Sequence, residues 1–457
     1  MRGRLIEAAE ITGGTLIEGN PETPFSGIST DSRMVTKGEL FIALRGNNFN
    51  GHDYVEQAVD RGAAAAVVDL RPETRDSRGL NLILTKDTLS ALGDLAAHNR
   101  RSYDARVIGI TGSAGKTTVK EMIASILAMK GSVLKTQKNY NNLIGVPMRL
   151  LDLKDDHDFA VIEMGTNAPG EIARLARMAM PDVSVLTGIV PAHLKGLGSM
   201  AGIINEKQTI FEYTSGAAVY DPNGEYTKNV VVPKTLEKIT FSLKEPADVL
   251  LSEVQGKDLA GTVFTVILKG RKMKIKVGLP GMHNVQNALA ACACALALGI
   301  EPELIQEGIE KASFPGMRSE IVVSEGLTII DDSYNANPGS MKAALDVLSG
   351  APHSVKIAVL GDMLELGEDA ELWHRELGKW VAASNINHLI ITGEMASTVK
   401  EEAYNAGLDI RQITVAADID GIKDALSKRT LKDAIILVKA SRSLKLDRVV
   451  AYLKEAA

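Results

Sequence analysis

Cysteine is nearly absent from this 457-residue sequence, which has only Cys292 and Cys294. Both lie in the small-residue run 290–298, Ala-Ala-Cys-Ala-Cys-Ala-Leu-Ala-Leu. On a helix, residues two apart point to different faces, so this pair is expected to pack in a core rather than bind metal or cycle between redox states. A reducing, cytoplasmic setting fits. Aromatic residues are scarce at 4%, too few for a platform on which nucleic-acid bases would stack. Long hydrophobic runs are missing as well. No stretch of 18 apolar residues occurs, and the first residues, Met-Arg-Gly-Arg-Leu-Ile-Glu, carry charge where a signal peptide needs an apolar segment. Neither export nor membrane insertion is expected. A formal charge of −6 gives no global attraction to nucleic acid or anionic lipid, so any phosphate recognition has to be local. Internal repeats and low-complexity segments are absent too.

With 45% hydrophobic and 24% charged residues, the composition is that of a folded globular protein. A length of 457 at roughly 150 residues per domain predicts about three domains. Up to about residue 85 the segments are short, with a strand at 38–44, a helix at 55–61 and an apolar run at 63–68. From 105 onward, apolar strands (106–110, 133–136, 159–164, 183–187) alternate with helices (116–129, 170–178), the pattern of a parallel sheet covered on both faces. Alternating valines and lysines at 248–278 suggest antiparallel strands, and a helix follows at 284–298. A second alternation begins after Pro315-Gly316, with strands at 327–331, 357–360, 388–392 and 434–438 and helices at 341–348, 371–383 and 422–426. The expected fold is therefore α/β in three domains. Residues 1–95 form a small N-terminal α/β unit, 96–315 a central P-loop ATPase-like domain with a mostly parallel sheet, and 316–457 a Rossmann-like domain. Segments 85–104 and 313–317 read as linkers.

Residues 109–118, Gly-Ile-Thr-Gly-Ser-Ala-Gly-Lys-Thr-Thr, fall between an apolar strand and an amphipathic helix. There, backbone N–H groups at a helix start can surround phosphate oxygens. Thr111, Gly112, Ser113, Ala114, Gly115, Lys116, Thr117 and Thr118 are the ATP-binding candidates. The two later glycines let the backbone approach the anion, Lys116 reaches the outer phosphates and Thr117 offers a hydroxyl to Mg2+. The general pattern would place glycine at 110, where this chain has Ile110. Glu163 stands at the end of the neighbouring strand 159–164 and is a second hard-oxygen candidate for magnesium. A plainer reading is a strand-helix turn with a chance lysine, which the agreement of strand, loop and helix disfavours.

The shifted glycines of Gly109-x-Thr-Gly-x-x-Gly-Lys-Thr-Thr118 resemble the ATP-binding loop of the Mur ligases, which build the peptide of bacterial cell-wall precursors. Further segments agree in order: 136–147 with its asparagines, Glu163-Met-Gly165 with Pro169-Gly-Glu171, Ala192-His-Leu194, Gly281-x-His-Asn284-x-x-Asn287 and Gly316-Met-Arg318. Asp331-Asp-Ser-Tyr-Asn-Ala-Asn-Pro338 with Ser340, followed by 360–367, is similar to the family member that adds D-alanyl-D-alanine to UDP-N-acetylmuramoyl-tripeptide. Asp31-Ser-Arg33 resembles the family's segment for the uridine diphosphate end. Ala114 stands where that family has asparagine, and Gln208 where it has glycine.

The resemblance implies an ATP-dependent ligase working through an acyl phosphate, with UDP-N-acetylmuramoyl-tripeptide and D-alanyl-D-alanine as partners and a monomeric state. It gives His193 and Lys207 to a second magnesium, Lys207 as a carbamate, alongside Lys116 and Glu163 as catalytic residues. The plainer readings are a local loop histidine and a solvated lysine. Asn284 and Asn287, three apart on a helix, share a face, and the resemblance gives them the adenine, although Asn284 could instead cap the helix. Arg318 would take a phosphate and Asp332 the ribose, which makes ATP binding a clamp between domains. Tyr334, Asn335, Asn337 and Ser340 are assigned to the dipeptide pocket, with an Asn-Pro turn as the alternative. Ser32, Arg33, Asn139 and Asn142 are assigned to the nucleotide sugar. Three rivals remain open: a same-fold ligase with another acceptor, such as a folate; a nucleotide switch; and a non-catalytic sugar-nucleotide sensor.

Overall fold

The computed structural model describes residues 1–46, 49–71, 81–324 and 326–456. The chain is α/β with large, mixed, mostly parallel sheets. It divides into two compact units, the first made of residues 1–109, 131–165 and 171–182, the second of 110–130, 166–170 and 183–457.

In the first unit a five-stranded sheet runs in the order Thr15–Glu18, Leu82–Leu84, Ala65–Val68, Leu40–Ile42, Ile28–Ser29. Only its first pair is antiparallel. Short apolar strands suit this sheet because its core, with Phe41, Val55, Ala66, Val68 and Leu82, covers them. The segment 85–104, expected as a linker, is instead largely a helix, Thr88–Arg101. Asp87 caps its start by accepting the Ser90 N–H at 2.8 Å, and its last turn carries His98, Arg100 and Arg101, charges that suit a helix C-terminus. This helix packs on the helices Gly145–Leu150 and Glu171–Ala179, and Asn99 Nδ2 donates to Leu150 O at 2.9 Å.

In the second unit the strands Val183–Leu186, Ala217–Tyr220, Glu237–Ser242 and Val249–Asp258 are parallel neighbours. The last of these continues into the antiparallel meander Gly261–Leu268 and Arg271–Val277, as the valine–lysine alternation predicted. The helix Lys116–Leu127 lies against Met282–Ala297 and Pro302–Glu310. Met282–Ala297 is apolar nearly all round, and its alanines permit close helix contact. A six-stranded sheet completes the unit in the order Glu320–Ser324, Leu327–Asp331, Ala434–Lys439, Val355–Gly361, His388–Thr392, Ile413–Ala416, parallel except at its first pair. Strands 217–220, 237–242 and 413–416, absent from the sequence reading, are short and carry no alternation long enough to register. Among the described residues no helix is long and apolar enough to cross a membrane.

Cys292 and Cys294 are fully buried, and desolvation pushes the Cys292 thiol up to about 12 and raises that of Cys294 further. A buried thiol with so raised a pKa stays protonated and out of reach of solvent near pH 8. The native protein should therefore resist a thiol reagent at that pH and titrate two thiols after unfolding. Rapid labelling of the folded protein would contradict this packing.

Candidate active site

The strand Arg106–Thr111 delivers the phosphate loop to the helix Lys116–Leu127. Ile110 is fully buried in that strand, so the position where the general motif has glycine serves the core here. The close approach falls to Gly112 and Gly115. Gly112 has φ +153°, and a Cβ there would lie 2.1 Å from Thr187 Oγ1. Gly115, at φ +80°, is the residue before the helix, and its Cβ would meet Asn287 Oδ1 at 2.2 Å. Both positions require glycine for backbone conformation and for space.

Each of three consecutive loop carbonyls accepts a hydrogen bond from a side chain. Gly112 O takes Lys116 Nζ at 2.7 Å and Lys207 Nζ at 3.1 Å. Ser113 O takes Asn337 Nδ2 at 3.4 Å, and Ala114 O takes Thr187 Oγ1 at 2.5 Å. Ser113 N donates to Gly188 O at 2.8 Å, which ties the loop to the end of the next strand. With the carbonyl dipoles engaged by donors, the concave side of such a loop is left to N–H groups, the arrangement that attracts phosphate.

Lys207 is 1% exposed on the helix Met200–Gln208 and is not a solvated lysine. Burial, then the nearby charge of Lys116, holds its ammonium well below the usual range, against a smaller opposing effect of Glu206. Glu206 is itself engaged by Thr166 Oγ1 at 3.1 Å and Gly170 N at 2.6 Å. His193 has a left-handed backbone, φ +56°, unusual for a non-glycine residue and common where strain serves a site. Its Nδ1 lies 2.6 Å from Glu365 Oε2, and this contact holds the Glu365 carboxyl below its usual range.

Asn284 and Asn287 are both buried, and Asn287 Nδ2 donates to Asn284 Oδ1 at 3.2 Å beside Gly115. The helix is preceded by Gly281, while Asn284 Nδ2 bonds Pro280 O at 2.8 Å, so the capping alternative for Asn284 fails. Arg318 stacks its guanidinium 4.0 Å from the centroid of the Tyr334 ring. It is flanked by two left-handed residues, Met317 (φ +64°) and Ser319 (φ +54°). Asp332 Oδ1 accepts Ser319 N at 2.9 Å, and Asp332 Oδ2 accepts Lys439 Nζ at 2.5 Å. Each carboxylate oxygen keeps a second lone pair for a ligand hydroxyl. Asn337 caps the helix Pro338–Gly350 reciprocally with Ser340, while Asn335 is exposed. Loop, asparagine pair, Lys207, Arg318, Asp332 and Asn337 thus belong to one unit.

His193, Tyr334, Asn335 and Ser340 lie in that unit too, whereas Glu163, Ser32, Arg33, Asn139 and Asn142 lie in the first. Glu163 is 2% exposed, and its Oε1 accepts Asn141 Nδ2 at 2.8 Å. Ser32 Oγ donates to Gln57 Oε1 at 2.6 Å, and the exposed Arg33 pairs with Asp31 at 2.7 Å, which lowers the Asp31 carboxyl to about 2. Asn139 is exposed, and Asn142 Oδ1 accepts Ile144 N and Gly145 N at 3.1 and 2.9 Å, a local turn. Sequence reasoning missed Asn141, Thr187, Glu365 and Lys439. Glu365 and Asn141 stood inside segments already singled out, whereas Lys439 closes an apolar strand and gives no periodic signal.

Among the described residues no three His, Cys, Asp or Glu side chains gather as a metal cage. The donors suit instead an ion carried by nucleotide phosphates and completed by one or two protein oxygens, as magnesium is. The buried hydroxyl of Thr117 at the helix start is such a donor.

Comparison with known proteins agrees along the chain. Residues 110–295 match the Mur ligase middle domain, 317–442 the Mur ligase glutamate ligase domain and 24–100 the Mur ligase family catalytic domain. Curated relatives named UDP-N-acetylmuramoyl-tripeptide--D-alanyl-D-alanine ligase include that of Bacillus subtilis (strain 168), 36% identical over 98% of this chain and 97% of its own. The Escherichia coli (strain K12) relative of the same name is 36% identical over 94% and 93%. A crystal structure of MurF from Acinetobacter baumannii superposes with a TM-score of 0.92 at 31% identity, covering 100% of this chain and 99% of that one. MurF from Thermotoga maritima in complex with ADP superposes at 0.83 with 27% identity, covering 94% and 97%. A folylpolyglutamate synthase from Mycobacterium tuberculosis, at 18% identity and a TM-score of 0.64, shares the fold.

Substituting Gly115→Ala should displace Asn287 and weaken binding of a fluorescent ADP analogue at least about tenfold. Thr118→Ala, in the first helical turn, should change it less. Unaltered affinity in Gly115→Ala would show that the loop does not need this contact.

Proposed function

The chain belongs to the Mur ligase family, and we propose that it joins D-alanyl-D-alanine to UDP-N-acetylmuramoyl-tripeptide at the expense of ATP, a step of peptidoglycan precursor synthesis. The observation that carries this reading is full-length similarity to ligases of that name, on a chain whose phosphate loop has its carbonyls tied back by side chains. The domains proposed are 1–95, 96–315 and 316–457. The second boundary falls in the gap between the family matches ending at 295 and beginning at 317, while the first lies a few residues before the gap between 100 and 110, inside the helix Thr88–Arg101. A cytoplasmic location is consistent with two buried free thiols.

A carboxylate oxygen is a poor leaving group, so the tripeptide's terminal carboxylate first attacks the γ-phosphorus of ATP and releases ADP. The amine of D-alanyl-D-alanine then attacks the acyl phosphate, and phosphate leaves from the tetrahedral intermediate. Protein groups supply position and charge. Lys116 reaches the outer phosphates, leaving Gly112 O to the Lys207 N–H, and the loop N–H groups hold the phosphate oxygens. Asn284 and Asn287 take the adenine edge, Arg318 a phosphate and Asp332 the ribose. Magnesium would neutralise phosphate charge, with Thr117 and Glu163 as donors to one ion and His193 with Lys207 as donors to a second.

For Lys207, burial supports the carbamate reading. An amine must be unprotonated to add to CO2, and an uncharged amine is what burial beside Lys116 favours. The carbamate would then present an anionic oxygen to the metal. Asn337 and Ser340 define the helix start bordering the dipeptide pocket, with Tyr334 and Asn335 on the same loop. Ser32, Arg33, Asn139 and Asn142 are assigned to the nucleotide sugar.

Phosphate release should require both UDP-N-acetylmuramoyl-tripeptide and D-alanyl-D-alanine, and Lys116→Ala should lower turnover by about a thousandfold. Turnover with a folate and glutamate in their place would overturn the assignment. Crystals grown with bicarbonate should show branched density at Lys207; an unbranched amine there would remove the carbamate from the mechanism.

A further inference from the structure

Lys439 is the last residue of the strand Ala434–Lys439, and its side chain is 2% exposed. A lysine is rarely buried this deeply unless its charge is matched. Here the ammonium has two partners on the same loop: Asp332 Oδ2 at 2.5 Å and Asn335 O at 2.9 Å. Asp332 N also donates to Val438 O at 3.1 Å, which anchors the loop backbone to the same strand.

These bonds continue in two directions. Through Asp332 Oδ1 they reach Ser319 N, next to Arg318, and Arg318 in turn stacks on Tyr334. Through Asn335 they reach the turn that ends in Asn337, whose side chain caps the helix Pro338–Gly350 and touches Ser113 O of the phosphate loop. One buried cation therefore stands where the proposed nucleotide-binding edge (Arg318, Asp332) and the proposed dipeptide loop (334–337) meet.

We propose that Lys439 is a positioning residue for the ligation reaction, holding the Asp332 carboxylate and the 334–337 loop in one register so that nucleotide and dipeptide are presented together. It touches neither reactant. The proposal rests on the reading that Arg318 and Asp332 face the nucleotide and the 334–337 loop faces the dipeptide. Arginine is a poor substitute, because its planar fork cannot place one donor on a carboxylate and another on a carbonyl in the space of an ammonium.

The test compares Lys439→Met, Lys439→Arg, Asp332→Asn, Arg318→Ala and the double variant Lys439→Met/Asp332→Asn, each checked for folding by thermal melting. Steady-state ligation gives KM for ATP and for D-alanyl-D-alanine separately, and a fluorescent ADP analogue gives nucleotide affinity. Arg318→Ala, and Asp332→Asn, whose amide oxygen still accepts from Lys439, should raise the ATP KM about tenfold or more and leave the dipeptide KM within about twofold. Lys439→Met should raise both. In the double variant the two effects on ATP should be less than additive, while the dipeptide effect persists. Should Lys439→Met alone fail to fold, Lys439→Arg, which keeps the charge, and the neutral double variant carry the same comparison. A folded Lys439 variant with both KM values within about twofold of the parent overturns the proposal. Unchanged nucleotide affinity in both Arg318→Ala and Asp332→Asn would instead overturn the reading of the nucleotide edge on which it rests.

Discussion

Everything at this site depends on keeping the carbonyl oxygens of residues 112–114 turned away from the place where phosphates sit. A glycine-rich loop does not do this unaided, since each peptide unit brings an acceptor along with its donor. In this chain the acceptors are engaged from three directions: by Lys116 and Lys207 at Gly112, by Asn337 at Ser113 and by Thr187 at Ala114. The glycines follow from that constraint. Because Thr187 and Asn287 have to approach the backbone so closely, any Cβ at 112 or 115 would collide with them. The same constraint explains why Ile110 is tolerated: the strand before the loop has no such neighbour to admit and is free to bury an aliphatic side chain.

Residues that act through local sequence were legible in advance. The loop itself, the asparagines three apart and the strands bordering them depend on spacing within one element, whereas the nearness of Asn287 to Gly115 is visible only in the structure. Sequence reading was weaker where two distant segments share one polar group. Asp332 was read for its carboxylate alone, yet the cation that engages it comes from position 439, at the end of an apolar strand that looks like plain core. Asn337 and Ser340 illustrate a different limit. The helix-capping geometry they form is the ordinary meaning of such a pattern, and the bond from Asn337 to Ser113 O is visible only in three dimensions. The misread linker at 85–104 has a simple cause. Its helix is set by Asp87 at one end and by packing along its length, and the tertiary packing outweighs the polar look of the sequence.

Four of the ten left-handed non-glycine residues among those described stand at charged side chains of the candidate site. His193 and its neighbour in space Glu365 both adopt positive φ, and so do the two residues flanking Arg318. Left-handed conformations in such residues cost of order 1 kcal/mol or more each and persist only where the surroundings over-determine them. At Arg318 the surroundings are explicit. Ser319 N is held by Asp332 and the guanidinium by the Tyr334 ring, so a long, flexible side chain is confined before any ligand arrives. Confinement of that kind lowers the entropy lost on binding an anion.

Burying Lys439 against Asp332 does not favour stability in itself. Removing two charges from water costs several kcal/mol per ion, and an apolar pair of similar volume at the same place would often hold the fold as well or better. What an apolar pair would not supply is direction. A methylene contact would leave the 332–337 loop held to the strand only by the Asp332 N–H on Val438 O, whereas an ammonium bonded to one carboxylate oxygen and one carbonyl fixes it at Asn335 as well. Breaking the pair by removing one partner would cost about 3–5 kcal/mol, because the other charge would stay buried without a counter-ion. A loop that has to present groups to two substrates gains from that intolerance, since misregistered conformers, the ones that would bind nucleotide without aligning the dipeptide, are the ones it excludes.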